Sequence, residues 1–119
     1  MQFSNTMINQ RFSLLLSKES KFFLDSNYNI GMFAEQLGTN RTYASRFINQ
    51  QFGVSFPTFI NRLRLTHFMR LRQEKPHLSI NSVLHQCGFN TAYSFRRAFV
   101  QVYGENPSEY FDAPNKYLQ

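Results

Sequence analysis

The sequence predicts an all-α protein, and three observations carry that prediction. Apolar residues recur at i, i+3, i+4 and i+7 along much of the chain, the spacing of one buried helical stripe. Asn or Ser stands before these stripes and Gly after them, as N-caps and left-handed helix ends require. One such arrangement is also written twice, as LGTNRTYASRFINQQFG (Leu37 to Gly53) and as CGFNTAYSFRRAFVQVYG (Cys87 to Gly104).

In chain order, residues 1–28 read as a covering helix and a loop. Ile8, Phe12, Leu15, Leu16, Phe22 and Phe23 fit one amphipathic helix, and Asp25 to Asn29 reads as the loop. The first copy occupies residues 29–54. Asn29 caps a short helix whose inner stripe is Ile30, Phe33, Ala34 and Leu37; Gly38 ends it, and Asn40 is suited to start the next. In that second helix Ala44, Phe47 and Ile48 turn inward, while Thr42, Ser45, Arg46 and Asn49 make the opposite face.

Residues 55–76 read as a long linking helix. Ser55 caps it, Pro57 is tolerated in its first turn, where N–H groups have no helical partner, and Pro76 ends it. Its apolar residues, Phe59, Ile60, Leu63, Leu65, Phe68, Met69 and Leu71, cover more than one face, which suits a helix packed against both copies.

The second copy and a closing short helix fill residues 77–112. With Gly38 placed over Gly88, Ile80, Val83, Leu84 and Cys87 repeat the first stripe, Ser79 is its cap, and Asn90 repeats Asn40. The following helices align with one extra residue in the later copy. Phe95, Ala98 and Phe99 turn inward; Tyr93, Arg96, Arg97 and Val100 turn outward. Asn106 caps a helix from Pro107, on which Tyr110 and Phe111 fold back, and residues 113–119 read as a loose tail.

With 119 residues, 42% of them apolar, the chain can build one domain with a core, or two very small ones sharing a helix. The single cysteine excludes an internal disulfide. No apolar run approaches the roughly 20 residues of a membrane helix, and no signal-peptide pattern opens the chain. A cytoplasmic protein, with no membrane contact by this segment, is expected. His67, His77 and His85 are not spaced like ligands, and Cys87 aligns with a core leucine, so no metal or cofactor is expected. No P-loop, dinucleotide fingerprint or paired carboxylates occur in the basic window, so no enzyme is expected.

The charge is unevenly placed. Of a formal net charge of +6, the stretch from Gln36 to Gly104 holds Arg41, Arg46, Arg62, Arg64, Arg70, Arg72, Lys75, Arg96 and Arg97 against the single acid Glu74. Such a field suits a polyanion, nucleic acid before membrane. Each copy is a short helix, a tight glycine turn and a helix with an arginine on its outer face, the pattern of a helix-turn-helix. A helix fits the major groove, and arginine can donate two hydrogen bonds to a guanine edge. The linking helix from Phe56 to Glu74 spans about 28 Å at about 1.5 Å per residue. Successive major grooves on one side of a duplex lie about 34 Å apart, so a connector of this length suits two reading heads. Double-stranded DNA is the first expected partner. A basic helical module docking an acidic protein is the alternative, and RNA stands third because its major groove is too narrow for these helices.

Two segments carry a family resemblance. GFNTAYSFRRAFVQVYGENPSEYF resembles the signature of the AraC/XylS family of bacterial transcription regulators, with its Gly-Phe start, aromatic mid-helix and closing Gly-x-x-Pro-x-x-Tyr. AEQLGTNRTYASRFINQQFGVSFPTFINRLRL resembles that family's first helix-turn-helix and the start of its connecting helix. The resemblance runs from about Asn29 to Phe111. It implies seven helices and sequence-specific binding to promoter DNA, usually to activate transcription. By position, Thr42, Ser45 and Arg46 would face bases in one groove, and Tyr93, Arg96 and Arg97 in the next. Arg41, Tyr43, Asn49, Asn90 and Thr91 would touch phosphates, which set register rather than sequence. Arg64 is assigned to phosphate or to anchoring the connector. Some family members contact RNA polymerase, and many carry a sensing or dimerisation domain ahead of this unit; the chain is then a fragment of a longer regulator or a stand-alone member. Ala44, Phe68, Val100 and Phe111 depart from the pattern, where a larger aliphatic, Ala, Lys and Arg are usual. Ala92 offers little to a base edge, so the second head is expected to make fewer polar contacts than the first.

Overall fold

The computed structural model describes residues 5–17 and 21–112. Among them are seven α-helices and no strand: α1 (Asn5–Leu16), α2 (Ile30–Leu37), α3 (Arg41–Phe52), α4 (Phe56–Glu74), α5 (Ile80–Gln86), α6 (Ala92–Tyr103) and α7 (Pro107–Asp112). The expected loose tail, residues 113–119, lies outside the described residues. The chain divides into two compact units, the first reaching Ile60 and the second starting at Asn61, so the division falls inside α4.

In the first unit α2 starts where the Asn29 side chain accepts the backbone N–H of Met32 at 3.0 Å. Its stripe buries Phe33, Ala34 and Leu37. It ends at Gly38, at φ 75°, and the next N–H, of Thr39, returns to the carbonyl of Ala34 at 2.9 Å. This closure satisfies carbonyls that the helix end would leave bare, and it sets the direction in which α3 departs. The core is aromatic. Phe12 of α1 meets Phe33 and Phe47 edge-on, at 6.1 and 5.0 Å between ring centroids. Phe56, from the first turn of α4, lies 5.1 Å from Phe33. Each such pair contributes about 0.5–1.5 kcal/mol beyond area burial.

One expectation is corrected here. Phe22 and Phe23 do not continue α1, which stops at Leu16; Phe22–Leu24 forms a separate 3₁₀ turn. The Ser17 hydroxyl donates to the Leu14 carbonyl at 2.8 Å, with the Ser17 N–H on the same oxygen at 3.3 Å. A serine bonding back in this way competes with the helical ladder. Phe22 packs instead on Tyr28, 5.0 Å away.

The second unit repeats the plan. The Ser79 hydroxyl accepts the N–H of Ser82 at 3.1 Å to start α5, and Val83, Leu84 and Cys87 are buried. Gly88 is at φ 91°, and the Phe89 N–H returns to Leu84 at 3.4 Å, as Thr39 does to Ala34. The core gathers Leu65, Phe68, Phe89, Phe95 and Phe99, with Tyr103, Tyr110 and Phe111 packed against it. Phe68 and Phe111, two of the departures from the resembled pattern, meet at 6.1 Å, and the Arg72 guanidinium lies 5.3 Å above the Phe111 ring. The large residue on α4 is thus matched by a ring on α7.

Burial pushes the Cys87 thiol up from 9.0 to about 12 and raises the Tyr28 and Tyr103 phenols, Tyr103 also through Tyr110. All three stay neutral in the fold, while an unfolded chain would ionise them as the pH passes their ordinary values. Their contribution is therefore complete below about pH 9 and is lost as the pH rises toward 12. Urea midpoints should fall steadily from pH 9 to 11, and less steeply in Cys87→Ala.

A second outcome concerns Gly38. A Cβ there would lie 1.7 Å from a guanidinium nitrogen of Arg11, which donates to the Leu37 carbonyl at 3.3 Å; at Gly53, φ 69°, a Cβ meets nothing within 4 Å. Both Gly→Ala changes should cost about 1–2 kcal/mol for left-handed backbone. Gly38→Ala should cost about 1 kcal/mol more, from the displaced arginine. Urea unfolding of both, alone and with Arg11→Ala, reads the difference, which should vanish when Arg11 is absent.

Candidate nucleic-acid interface

What each second helix exposes follows from what it buries. On α3, Ala44, Phe47 and Ile48 are buried, so the 3.6-residue period turns Thr42, Ser45, Arg46 and Asn49 to solvent, and all four are exposed. On α6, Phe95, Ala98 and Phe99 are buried, and Tyr93, Arg96, Arg97 and Val100 are exposed. Neither face carries an acid. The Arg97 guanidinium lies 5.7 Å above the Tyr93 ring, a contact that narrows the rotamers of both.

The helix starts differ. The Asn40 side chain accepts the Tyr43 N–H at 2.8 Å, as expected. Asn90 was expected to repeat that role and does not: Thr91 is the cap, its hydroxyl accepting the Ser94 N–H at 3.0 Å. The extra residue of the second copy sits in this turn, where Phe89 is buried against Phe95 at 5.4 Å and shifts the cap one position on. Asn90 is left exposed.

The residues expected at phosphates fall into two groups. Arg41, Asn49, Asn90 and Thr91 are exposed. Tyr43 is half-buried, with its hydroxyl donating to the Asn5 side-chain oxygen of α1. Arg64 is half-buried with its guanidinium 5.9 Å above the Phe89 ring, so its stem braces the second turn. Two further arginines of the basic window make contacts within the second unit. Arg72 donates to the Leu78 carbonyl at 2.7 Å, and an Arg70 nitrogen lies 3.0 Å from Nδ1 of the buried His67.

A cleft of about 320 Å³ opens beside Tyr93 and Arg97, and Asn61 of α4 and Gln101 of α6 complete its wall. Sequence reasoning missed both. Gln101 stands four residues after Arg97, so helical spacing could have found it. Asn61 is brought there by packing alone. Among the described residues, no group of three or more His, Cys, Asp or Glu could hold a metal ion, and no helix is long and apolar enough to cross a membrane.

A family profile described as a helix-turn-helix domain matches residues 33–113, both turns included. The chain belongs to the helix-turn-helix domain family. The domain is of the AraC type that the sequence resembles, a double helix-turn-helix. Relatives of this helix-turn-helix chain include the HTH-type transcriptional regulator Rv1931c of Mycobacterium tuberculosis, 26% identical over 83 residues, which cover 70% of this chain and 32% of that protein. The Msm operon regulatory protein of Streptococcus mutans is 26% identical over 85 residues, 71% of this chain and 30% of that protein. The chain thus spans about a third of the length of the curated relatives it matches. A solved structure of a protein of unknown function from Listeria innocua shares the fold at a TM-score of 0.69 and 17% identity, over 88% of this chain and 94% of that one.

The displaced cap gives a direct check on the second helix-turn-helix. Thr91→Ala should cost about 1 kcal/mol in urea unfolding, and Asn90→Ala close to nothing. Equal losses would return the capping role to Asn90.

Proposed function

We propose that this chain binds double-stranded promoter DNA in a sequence-specific way, with α3 and α6 in successive major grooves, and that it regulates bacterial transcription as an activator in the cytoplasm. The observation that carries the reading is the pair of exposed, acid-free helix faces, each bearing arginine and each following a capped short helix and a glycine turn. The family and the regulator names of the relatives support it. In this reading Thr42, Ser45 and Arg46 contact base edges in one half-site, and Tyr93, Arg96 and Arg97 in the other. Arg41, Asn49, Asn90 and Thr91 hold phosphates, with Tyr43 and Arg64 helping to position the helices. RNA polymerase and a sensing or dimerisation domain are the further partners of such a regulator.

The test is selection of bound duplexes from a random library at near-physiological salt. Two short enriched blocks about one helical turn apart are expected. Binding without enrichment would replace this reading with a basic module that holds DNA without sequence choice or is directed at a protein. Arg46→Ala should relax base choice in one block and Arg97→Ala in the other, each at a cost of about 1–3 kcal/mol. Equal weakening on every sequence would reassign both to phosphate. Neutralising about six phosphates should give a log–log salt slope near −5, and a nearly flat affinity would favour an acidic protein partner.

A further inference from the structure

The two outward faces differ in chemistry. That of α3 is polar: Thr42, Ser45, Arg46 and Asn49. That of α6 places an apolar residue at each end of its arginine pair. Tyr93 is 63% exposed and Val100 40%, both among the exposed large hydrophobic residues of the chain. They stand seven residues apart on one face, with Arg96 and Arg97 between them. Nothing within the second unit's core calls for them, since that role falls to Phe95, Ala98 and Phe99 on the opposite side.

The geometry points to Val100 and Tyr93 as specificity residues that recognise the 5-methyl groups of thymine in the half-site read by α6. This rests on the DNA-binding reading above and gives the second helix a base preference. Three considerations lead there. In the major groove, thymine is the one base that offers an apolar group, and small or aromatic side chains recognise it by contact. The flanking arginines supply the positive charge that brings a phosphate-lined groove to this face. The Arg97 guanidinium packs over the Tyr93 ring at 5.7 Å, which holds the ring in place beside it. A polar face such as that of α3 selects by hydrogen bonds; this one selects by an apolar contact beside a cation. The second head is then a reader of methyl groups and not merely a weaker copy of the first.

The test uses the selected duplex and the full chain. Each thymine of the second block is replaced by deoxyuridine, which removes the methyl and leaves every hydrogen-bonding group unchanged. Binding should weaken about fourfold at one or two such positions, the effect of one methyl returned to water. Val100→Ser, at an exposed position where the fold has little to lose, should remove that sensitivity at one of these positions while leaving any response to deoxyuridine in the first block intact. Tyr93→Leu, which retains an apolar side chain, should keep part of it. A second block without thymine would overturn the inference. So would a block whose deoxyuridine substitutions change nothing, or an equal loss in wild type and Val100→Ser. In each of those outcomes the enriched blocks themselves still stand, so the DNA-binding reading survives; a selection with no enriched block overturns both.

Discussion

Helices of seven, eight and twelve residues do not hold by themselves in water, because nucleation fixes several residues for one hydrogen bond. Everything in this molecule depends on the remedy. The short helices α2, α3, α5 and α6 are each closed at the start by a side-chain oxygen, and α2 to α6 each bury an apolar stripe in an aromatic core. A helix that draws its stability from one side leaves the other side free of structural duty. That freedom is what makes an outward arginine-bearing face possible on α3 and α6.

The two units reach this arrangement by different packing. In the first, α1 contributes Phe12, whose ring touches Phe33, Phe47, Phe52 and Phe59 within about 6 Å. In the second, α7 folds back and Tyr110 and Phe111 close over Phe99. An accessory helix thus covers each pair, one arriving before its pair in the chain and one after. The arginines divide in a similar way. Arg64 and Arg72 lie over aromatic rings of the second unit, while Arg46 and Arg96 stand on exposed faces.

Much of this was legible in the sequence because the signals were local and redundant. Asn29, Asn40 and Ser79 cap the helices they precede. The inner stripes of α2, α3, α5 and α6 are buried at the positions their spacing gave, except Ile30 and Ile80 at the helix starts, which are half-buried. Asn90 was misread because the repeat was carried one residue too far through a turn that has an insertion; the hydrogen bond to Ser94 belongs to Thr91. Phe22 and Phe23 were misread because apolar spacing says nothing about a serine that ends the helix. Asn61 was beyond reach, since its place in the cleft depends on how α4 packs beside α6. Which exposed residues would meet bases and which phosphates depends on the partner's shape, and no stripe or cap encodes that.

The separation of buried stripe from outward face has an evolutionary consequence. Substitutions at Thr42, Ser45, Arg46, Tyr93, Arg96 or Val100 fall on solvent-exposed positions and carry little penalty for folding. The chemistry of the outer faces can therefore change over a scaffold that stays the same. A lineage of such proteins can diverge far in sequence while keeping its backbone, since a handful of surface changes alters what the outer faces present without passing through an unstable intermediate.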